Sequence, residues 1–453
     1  MKELSWAWYF FHFAFFGACL GLIYTVYQGD GEPLLASLGF AGIAFSASFC
    51  GIQWLGDSFK SVGLKGKDIS KKGKPELPES MGAICAMVYV SAMIFFLPFA
   101  FYEYLVTTTS GGGNRDVTIE LQEVETGRLL HRFPHNKLGE YLSAILSLQC
   151  MILLGIGDDL FDIRWRHKLF LPAIAAIPML MVYYVDFGVT QVVVPTPLQP
   201  YLGHLVNLGW GYYAYMAAIA IFCPNSINIL AGVNGIEVSQ SIIIGLMLIV
   251  NDCLYIRIPE HPATDSHLFS LYFLLPFLGV SLALLYHNWY PSKVFVGDTY
   301  CYFAGMVFAV VGILGHFSKT LLLLFIPQIF NFLYSAPQLF RLIPCPRHRL
   351  PRFNERTGLL EPSRAQFNKP PSKPVTLMLE ILEKLRLVKL WTNAQGEPVE
   401  VSNMTILNLW IVTFGPMRED KLTMGIMAVH LVAGVMGLLM RHRLALLVFS
   451  QDN

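Results

Sequence analysis

Charge is what this chain has least of. Asp, Glu, Lys and Arg make up 14% of its 453 residues, against roughly 25% in an ordinary soluble domain. A soluble protein of this length could not solvate its surface with so little. Residual charge is scarce too: the net charge is +1, so no global field points to nucleic acid as a partner. Zinc-type spacing is also missing. The eight cysteines, Cys19, Cys50, Cys85, Cys150, Cys223, Cys253, Cys301 and Cys345, form no CxxC and no Cys/His pattern. Nearly all lie in or beside apolar runs, the habit of free cysteine used as a small core residue. No internal repeat is present, which argues against transporters built from two related halves.

Apolar sequence is abundant, at 54% of residues. A spanning helix needs about 20 mostly apolar residues. Candidate windows lie near 5–27, 33–56, 81–106, 140–157, 169–185, 208–224, 236–254, 267–286, 299–315, 320–340 and 424–440. The expectation is an all-α polytopic membrane protein with 10–11 transmembrane helices and a small mixed appendage near 341–423. Residues 1–30 read as an apolar anchor or extra span, 31–340 as the catalytic core, and 424–453 as the last helix and tail.

Basic loops set the orientation. Segment 58–80 carries six lysines against Asp68, Glu76 and Glu79. Loop 158–168 ends in Arg164, Arg166, His167 and Lys168, and 341–356 holds Arg341, Arg347, Arg349, Arg352 and Arg356. These alternate with balanced segments at 107–138 and 255–266. Segments 58–80, 158–168, 225–235, 287–298 and 341–423 are therefore expected on the cytosolic side. In 107–138, TTTSGGG suggests a flexible stretch and VTIELQEV a short strand. In the appendage, VTLMLEILEKLRLVKL has the spacing of an amphipathic helix. The sequon Asn403-Met404-Thr405 falls on the cytosolic side and reads as a chance occurrence.

Four polar clusters stand at the edges of apolar runs. Asp158 and Asp159 follow LLGIG directly, and Asp162 would share a helical face with Asp158. A carboxylate at a membrane boundary is a functional candidate, with a solvated helix cap as the plainer alternative. FCPNSINILAGVNGIE places Asn225, Asn228 and Asn234 in an apolar stretch, where Pro224, Gly232 and Gly235 should break regular helix. HNWYPSKVFVGDTYCYFAG sets Asp298 at the start of a span. PCPRHRLPR holds Arg347, His348 and Arg349 between prolines; simple positive-inside anchoring is its plainer reading.

All four fall on one expected face. Carboxylates and asparagine carbonyls suit Mg²⁺, which is commonly held by one or two carboxylates plus substrate phosphates. Cations suit a pyrophosphate. Together these are the needs of phosphoryl transfer, and the setting implies a lipid substrate. A transporter would gather such residues near the midplane. A scaffold would not need Asn228, Asp298 and the acidic pair together.

GIGDDLFDIRWRHKLFLP, FCPNSINILAGVNGIE, HNWYPSKVFVGDTYCYFAGM and PCPRHRLPRFN closely resemble the motifs of the eukaryotic UDP-N-acetylglucosamine–dolichyl-phosphate N-acetylglucosamine-1-phosphotransferases. The resemblance runs from about residue 33 to residue 445. The wider superfamily includes the bacterial translocase of peptidoglycan synthesis; the RHR loop favours the eukaryotic branch. The resemblance implies transfer of N-acetylglucosamine-1-phosphate from UDP-GlcNAc to dolichyl phosphate, with release of UMP, on the cytosolic face of the endoplasmic reticulum membrane.

It also implies roles. Asn228 and Asp298 would hold Mg²⁺, and Lys168 and Arg347 would neutralise phosphate. His348 and Arg349 would read the sugar, with Trp165 nearby. Ile69 and Glu79, in GKDISKKGKPELPES, would meet the uracil. Gly232 and Phe295 would lie at the uridine, with Asn225 and Asn234 also in the substrate site. Asp158 and Asp159 would position or deprotonate the lipid phosphate, and Asp162 would support them. A dolichyl phosphate is largely ionised near neutral pH, so direct displacement is favoured over an aspartyl-phosphate intermediate. The family is compatible with a homodimer, though no sequence feature demands one.

Overall fold

A computed structural model describes residues 6–28, 32–102, 134–161, 163–346, 349–367, 371–393 and 397–445. Each apolar window falls on helix: α1 Trp6–Gln28, α2 Pro33–Ser61, α3 Gly82–Ala100, α4 His135–Phe161, α5 Trp210–Ile229, α6 Ile236–Ile256, α7 Thr264–Asn288, α8 Asp298–Leu314 and α9 Glu419–Leu439. The window 169–185 is covered by the short helices Leu171–Ala175 and Ile177–Asp186. The window 320–340 is a pair, Ser318–Leu324 and Ile326–Leu339, bent by 66°. Seven helices among the described residues are long and apolar enough to cross a membrane singly, or eight with the bent pair counted as one span. The protein is a multi-pass membrane protein.

The shortest of the long elements organises the rest. Helix α8 has 17 residues, and every one from Thr299 to Leu314 is buried. A helix apolar all round belongs inside a bundle, and α8 packs against α3, α4, α5, α6 and α7. Glycines permit the closest approaches. A Cβ at Gly155 of α4 would lie 2.6 Å from Thr299 Cα, and one at Gly305 of α8 would strike the backbone of Pro224 in α5. Helices α4 and α5 are thereby held tightly against α8 at the end where their polar residues lie.

Pro224 does not break its helix, contrary to the sequence expectation: α5 runs through it to Ile229. The proline backbone rests against Gly305, and surrounding protein can absorb the lost hydrogen bond. The break comes later, at Gly232 and Gly235, which take φ of +97° and +84°. Those values favour glycine because it has no Cβ to clash.

The N-terminal helix is part of the bundle. It lies along α2, with His12, Cys19, Ile23 and Val26 buried and His12 Nδ1 3.3 Å from Ser46 Oγ. Of the cysteines, Cys19, Cys85, Cys223 and Cys301 are buried, Cys50 and Cys150 half-buried, and Cys253 and Cys345 exposed. The core reading therefore does not extend to the last two.

The appendage is mixed α/β. Strands 364–366, 390–392 and 398–402 form an antiparallel sheet with 398–402 central. Helix Lys373–Lys384 packs on it through Leu379, against Ala365, Val388 and Val401. This helix is shorter than its apolar spacing suggests. Arg386 takes φ +58°, and Leu390 pairs with Val401 as strand. A second cluster, with Leu360, Leu407 and Ile411, reaches Leu230, Val233 and Ile236 of the core and Leu422 and Ile426 of α9. The appendage thus meets the membrane bundle at the asparagine segment. Asn403 of the sequon is buried, donates to Ser363 Oγ at 2.8 Å and accepts from Gln338 at 2.8 Å. The flexible stretch and the strand expected within 107–138 lie outside the described residues.

The expected one-sidedness of the polar clusters is visible. Phe295 bonds Pro78 across 2.8 Å, Asp298 bonds Asp159, and Asn234 meets Asp68 and Glu419. At the other end of the bundle, Lys137 pairs with Asp265 at 2.5 Å, joining the starts of α4 and α7.

Candidate active site

Asp158 and Asp159 close the last turn of α4, where the chain leaves the helix. Asp158 is buried. Its Oδ1 accepts from Ile163 N at 2.9 Å. Its Oδ2 lies 2.8 Å from Lys168 Nζ and accepts from Tyr302 OH at 3.0 Å. Asp159 points at the start of α8. It accepts from Asp298 N at 2.8 Å, Thr299 N at 3.3 Å and Thr299 Oγ1 at 2.5 Å. It therefore satisfies N–H groups that a helix N-terminus leaves without intrahelical partners, and a carboxylate there complements the helix dipole. The adjacent acids have separate geometries: one holds a lysine, the other caps the helix that begins with Asp298.

Asp298 is the point of convergence. Its Oδ1 accepts from Asn228 Nδ2 at 2.7 Å, and its Oδ2 lies 3.3 Å from Lys168 Nζ. About a third of its side chain is exposed, so the carboxylate is partly accessible. Lys168 bridges Asp158 and Asp298. Burial works against its charge, but the hydrogen bond to Asp158 and the field of Asp298 outweigh it, and its pKa lies above the ordinary value. It stays protonated and offsets the repulsion of two carboxylates.

Among the described residues, no three His, Cys, Asp or Glu side chains converge as a closed metal cage. Asp298 and Asn228 nonetheless fit a hard cation that takes its remaining ligands from phosphate and water, the usual habit of Mg²⁺. A turn of the Asn228 amide about its last bond presents Oδ1 where Nδ2 now sits.

A second group surrounds this centre. Glu79 is half-buried. Burial raises its carboxyl pKa, and Asp159 and Asp298 push it the same way. A Cβ at Gly66 would lie 2.9 Å from the Phe295 ring, so the hairpin of Lys65–Lys67 with Glu76–Pro78 backs that ring. Ile69 is 55% exposed. It lines a cleft of about 260 Å³ with Lys74, Leu350, Arg352 and Phe353. Gly232 sits under the Leu350 side chain and donates its N–H to Glu237 Oε1 at 2.7 Å.

The remaining candidates divide. Asn225 turns its amide back to Ile221 O at 2.8 Å, although it shares the half-buried face of Asn228. Asn234 is buried and donates to Glu419 and Asp68. Arg349 has its backbone carbonyl held by Asn408 Nδ2 at 2.7 Å and Ser363 Oγ at 3.2 Å. Its Nη1 is buried and meets no partner among the described residues. Burial lowers its pKa. A buried guanidinium donor without an acceptor costs free energy, a cost that an incoming oxygen acceptor would relieve. Asp162, Arg347, His348 and the Trp165 side chain lie outside what is described.

Several residues here escaped the sequence reading. Thr299 and Tyr302 hold the acidic pair, Asp68 and Glu419 hold Asn234, and Lys71 pairs with both of those carboxylates. Glu419 opens a spanning helix, and that placement is a signal that charge at the start of an apolar run should carry.

Residues 141–316 match the model of glycosyl transferase family 4. That range covers the acidic pair, Lys168, the asparagine segment and Asp298. The UDP-N-acetylglucosamine–dolichyl-phosphate N-acetylglucosaminephosphotransferase of Saccharomyces cerevisiae is 55% identical over 437 residues, 96% of each chain. The enzyme of the same name from Schizosaccharomyces pombe is 52% identical over 439 residues, 96% of this chain and 97% of its own. The chain belongs to this phosphotransferase family. A probable undecaprenyl-phosphate N-acetylglucosaminyl 1-phosphate transferase of Bacillus subtilis is 27% identical over 186 residues, 40% of this chain. Similarity to the phosphotransferases of the two yeasts is thus nearly full-length, and it takes in Ile69, Glu79 and Arg349, which the family model leaves out.

Proposed function

We propose that this chain transfers N-acetylglucosamine-1-phosphate from UDP-GlcNAc to dolichyl phosphate, giving GlcNAc-diphosphodolichol and UMP. The site faces the cytosol from the endoplasmic reticulum membrane. The observation that carries this reading is the convergence of Asp158, Lys168, Asn228 and Asp298 at one end of α8, in a chain aligned over 96% of its length with relatives named for that reaction.

In this reading an oxygen of the lipid phosphate attacks the sugar-bearing phosphorus. A new P–O bond forms, the bond to the UMP oxygen breaks, and the leaving charge resides on UMP. Asp298 and Asn228 hold Mg²⁺, which when bound neutralises the pyrophosphate. Lys168 stays protonated between Asp158 and Asp298 and supplies a cation beside the incoming phosphate. Asp159 fixes the first turn of α8 and so the direction of Asp298. Arg349 supplies its unpartnered Nη1 to an oxygen of the acetamide-bearing sugar. Ile69, Glu79 and Phe295 bound the uridine. The acceptor phosphate is already ionised near neutral pH, and displacement needs no covalent enzyme intermediate.

The test is detergent-solubilised protein with labelled UDP-GlcNAc and dolichyl phosphate. Stoichiometric UMP and a lipid-linked GlcNAc product are expected, both dependent on Mg²⁺. UMP release with no lipid-linked product would refute the acceptor assignment.

A further inference from the structure

The uridine side of the site is tied to the last spanning helix by a buried ionic cluster. Glu419 opens α9 and is only 3% exposed. Its Oε1 accepts from Asn234 N at 2.9 Å, and its Oε2 lies 3.4 Å from Asn234 Nδ2. Lys71 pairs directly with the same carboxylate. Lys71 also lies 3.4 Å from Asp68 Oδ2 and sits over the Tyr290 ring, 4.3 Å from its centroid. Asp68 is buried as well. It accepts from Ser70 N at 3.1 Å and from Asn234 Nδ2 at 3.3 Å. Thr423 of α9 closes the circuit by donating to Asn234 O at 2.9 Å.

Three parts of the chain far apart in sequence meet here: the first polar loop, the turn after α5, and α9. The loop's strands are three residues each, and Pro78 ties its far end to Phe295; the Asp68–Lys71 turn is anchored to α9 through this cluster. Between the two ends of its tight turn, the buried Asp68 and the half-buried Lys71, lies Ile69, which lines the cleft with Leu350 and Phe353. Burying two carboxylates and an ammonium is costly, and such clusters add little net stability over an apolar replacement. What an ionic cluster of fixed geometry does provide is a single register for the loop.

We infer that Glu419 and Lys71 are positioning residues for nucleotide binding: their buried pair fixes the Asp68–Lys71 turn and Asn234 against α9, and so sets Ile69 at the wall of the uridine pocket. The inference rests on the assignment of Ile69 and its neighbours to the nucleotide.

The test separates positioning from mere stability. Lys71→Met alone strands the buried carboxylates without their cation and lowers the melting temperature. The double variant Lys71→Met/Glu419→Gln removes the charges of the pair, while the glutamine Oε1 still accepts from Asn234 N; Asp68 loses its cation but keeps Ser70 N and Asn234 Nδ2 as donors. It is expected to regain much of the melting temperature that Lys71→Met alone loses. It should nevertheless bind UMP about tenfold more weakly by calorimetry, a loss of about 1.4 kcal/mol. KM for UDP-GlcNAc should rise by a similar factor, with kcat within about twofold. Ile69→Ala serves as the reference. If Ile69→Ala weakens UMP and the double variant does not, the positioning role is overturned while the pocket assignment stands. If Ile69→Ala leaves UMP affinity unchanged, the pocket assignment itself fails. A double variant that loses kcat and keeps KM would also overturn the inference.

Discussion

At the scale of single residues, Asp298 and Arg349 carry the sharpest expectations. Asp298 joins Asn228 and Lys168, so Asp298→Ala removes the shared acceptor of an amide and an ammonium in one step. Turnover should fall by at least about 10³-fold, with an unchanged elution profile because the side chain is partly exposed rather than core. Asp298→Ala with near wild-type turnover would remove this residue from the chemistry. Arg349 has its backbone pinned by Asn408 and Ser363 and a buried Nη1 lacking a partner among the described residues. A site built to bond a group rejects an analogue without it by perhaps 10⁴-fold, so UDP-glucose should be a very poor donor. Arg349→Lys keeps the charge but not the planar fork, and should narrow the ratio of kcat/KM for UDP-GlcNAc over UDP-glucose. Wild-type discrimination in the lysine variant would reduce this loop to an electrostatic anchor. The residues of both predictions were legible in the sequence because each is a charge where apolar or proline-rich sequence surrounds it. Thr299 and Tyr302 were not: a hydroxyl in an apolar run reads as core until its partner across the bundle is known.

At the scale of elements, the acidic pair divides its labour. Sequence adjacency gave Asp158 and Asp159 one shared role, but a helix end points successive side chains about 100° apart. One therefore meets Lys168 and the other meets α8. Asp159→Ala should cost about 1–2 kcal/mol of stability, as the loss of an N-terminal cap does, and should lower activity by letting the first turn of α8 fray. Asp159→Asn retains an acceptor and should recover most of the melting temperature. An alanine variant as stable as the wild type would show that the cap is redundant. The helices themselves were readable from apolar length alone, since lipid forces backbone hydrogen bonds to close within each span. Helix ends were less so. The amphipathic pattern through Leu390 was cut at Lys384 because the following residues are needed as strand against Val401, a tertiary demand that helical periodicity does not record.

At the scale of the whole molecule, the remaining question is which face of the membrane the site occupies. The loop charges are the ground for the proposed cytosolic side, and the structure gathers those loops at one end of the bundle. Glycan addition at Asn403 is not a fair probe of this. Its amide is buried and bonded to Ser363 and Gln338 in the folded protein, so the absence of a glycan there does not by itself report the side. Cys345 is a better reporter, being exposed beside the basic loop that carries Arg349. In sealed microsomes with their cytosolic surface outward, a membrane-impermeant maleimide should label the protein without permeabilisation, and Cys345→Ser should remove most of that label. The other exposed thiol, Cys253, lies near the end of α6 that leads to the opposite loop; any label it takes should appear only after detergent. Labelling of Cys345 that requires detergent would invert the whole assignment, because every polar cluster of the site is bonded to the same end of the bundle and must turn with it.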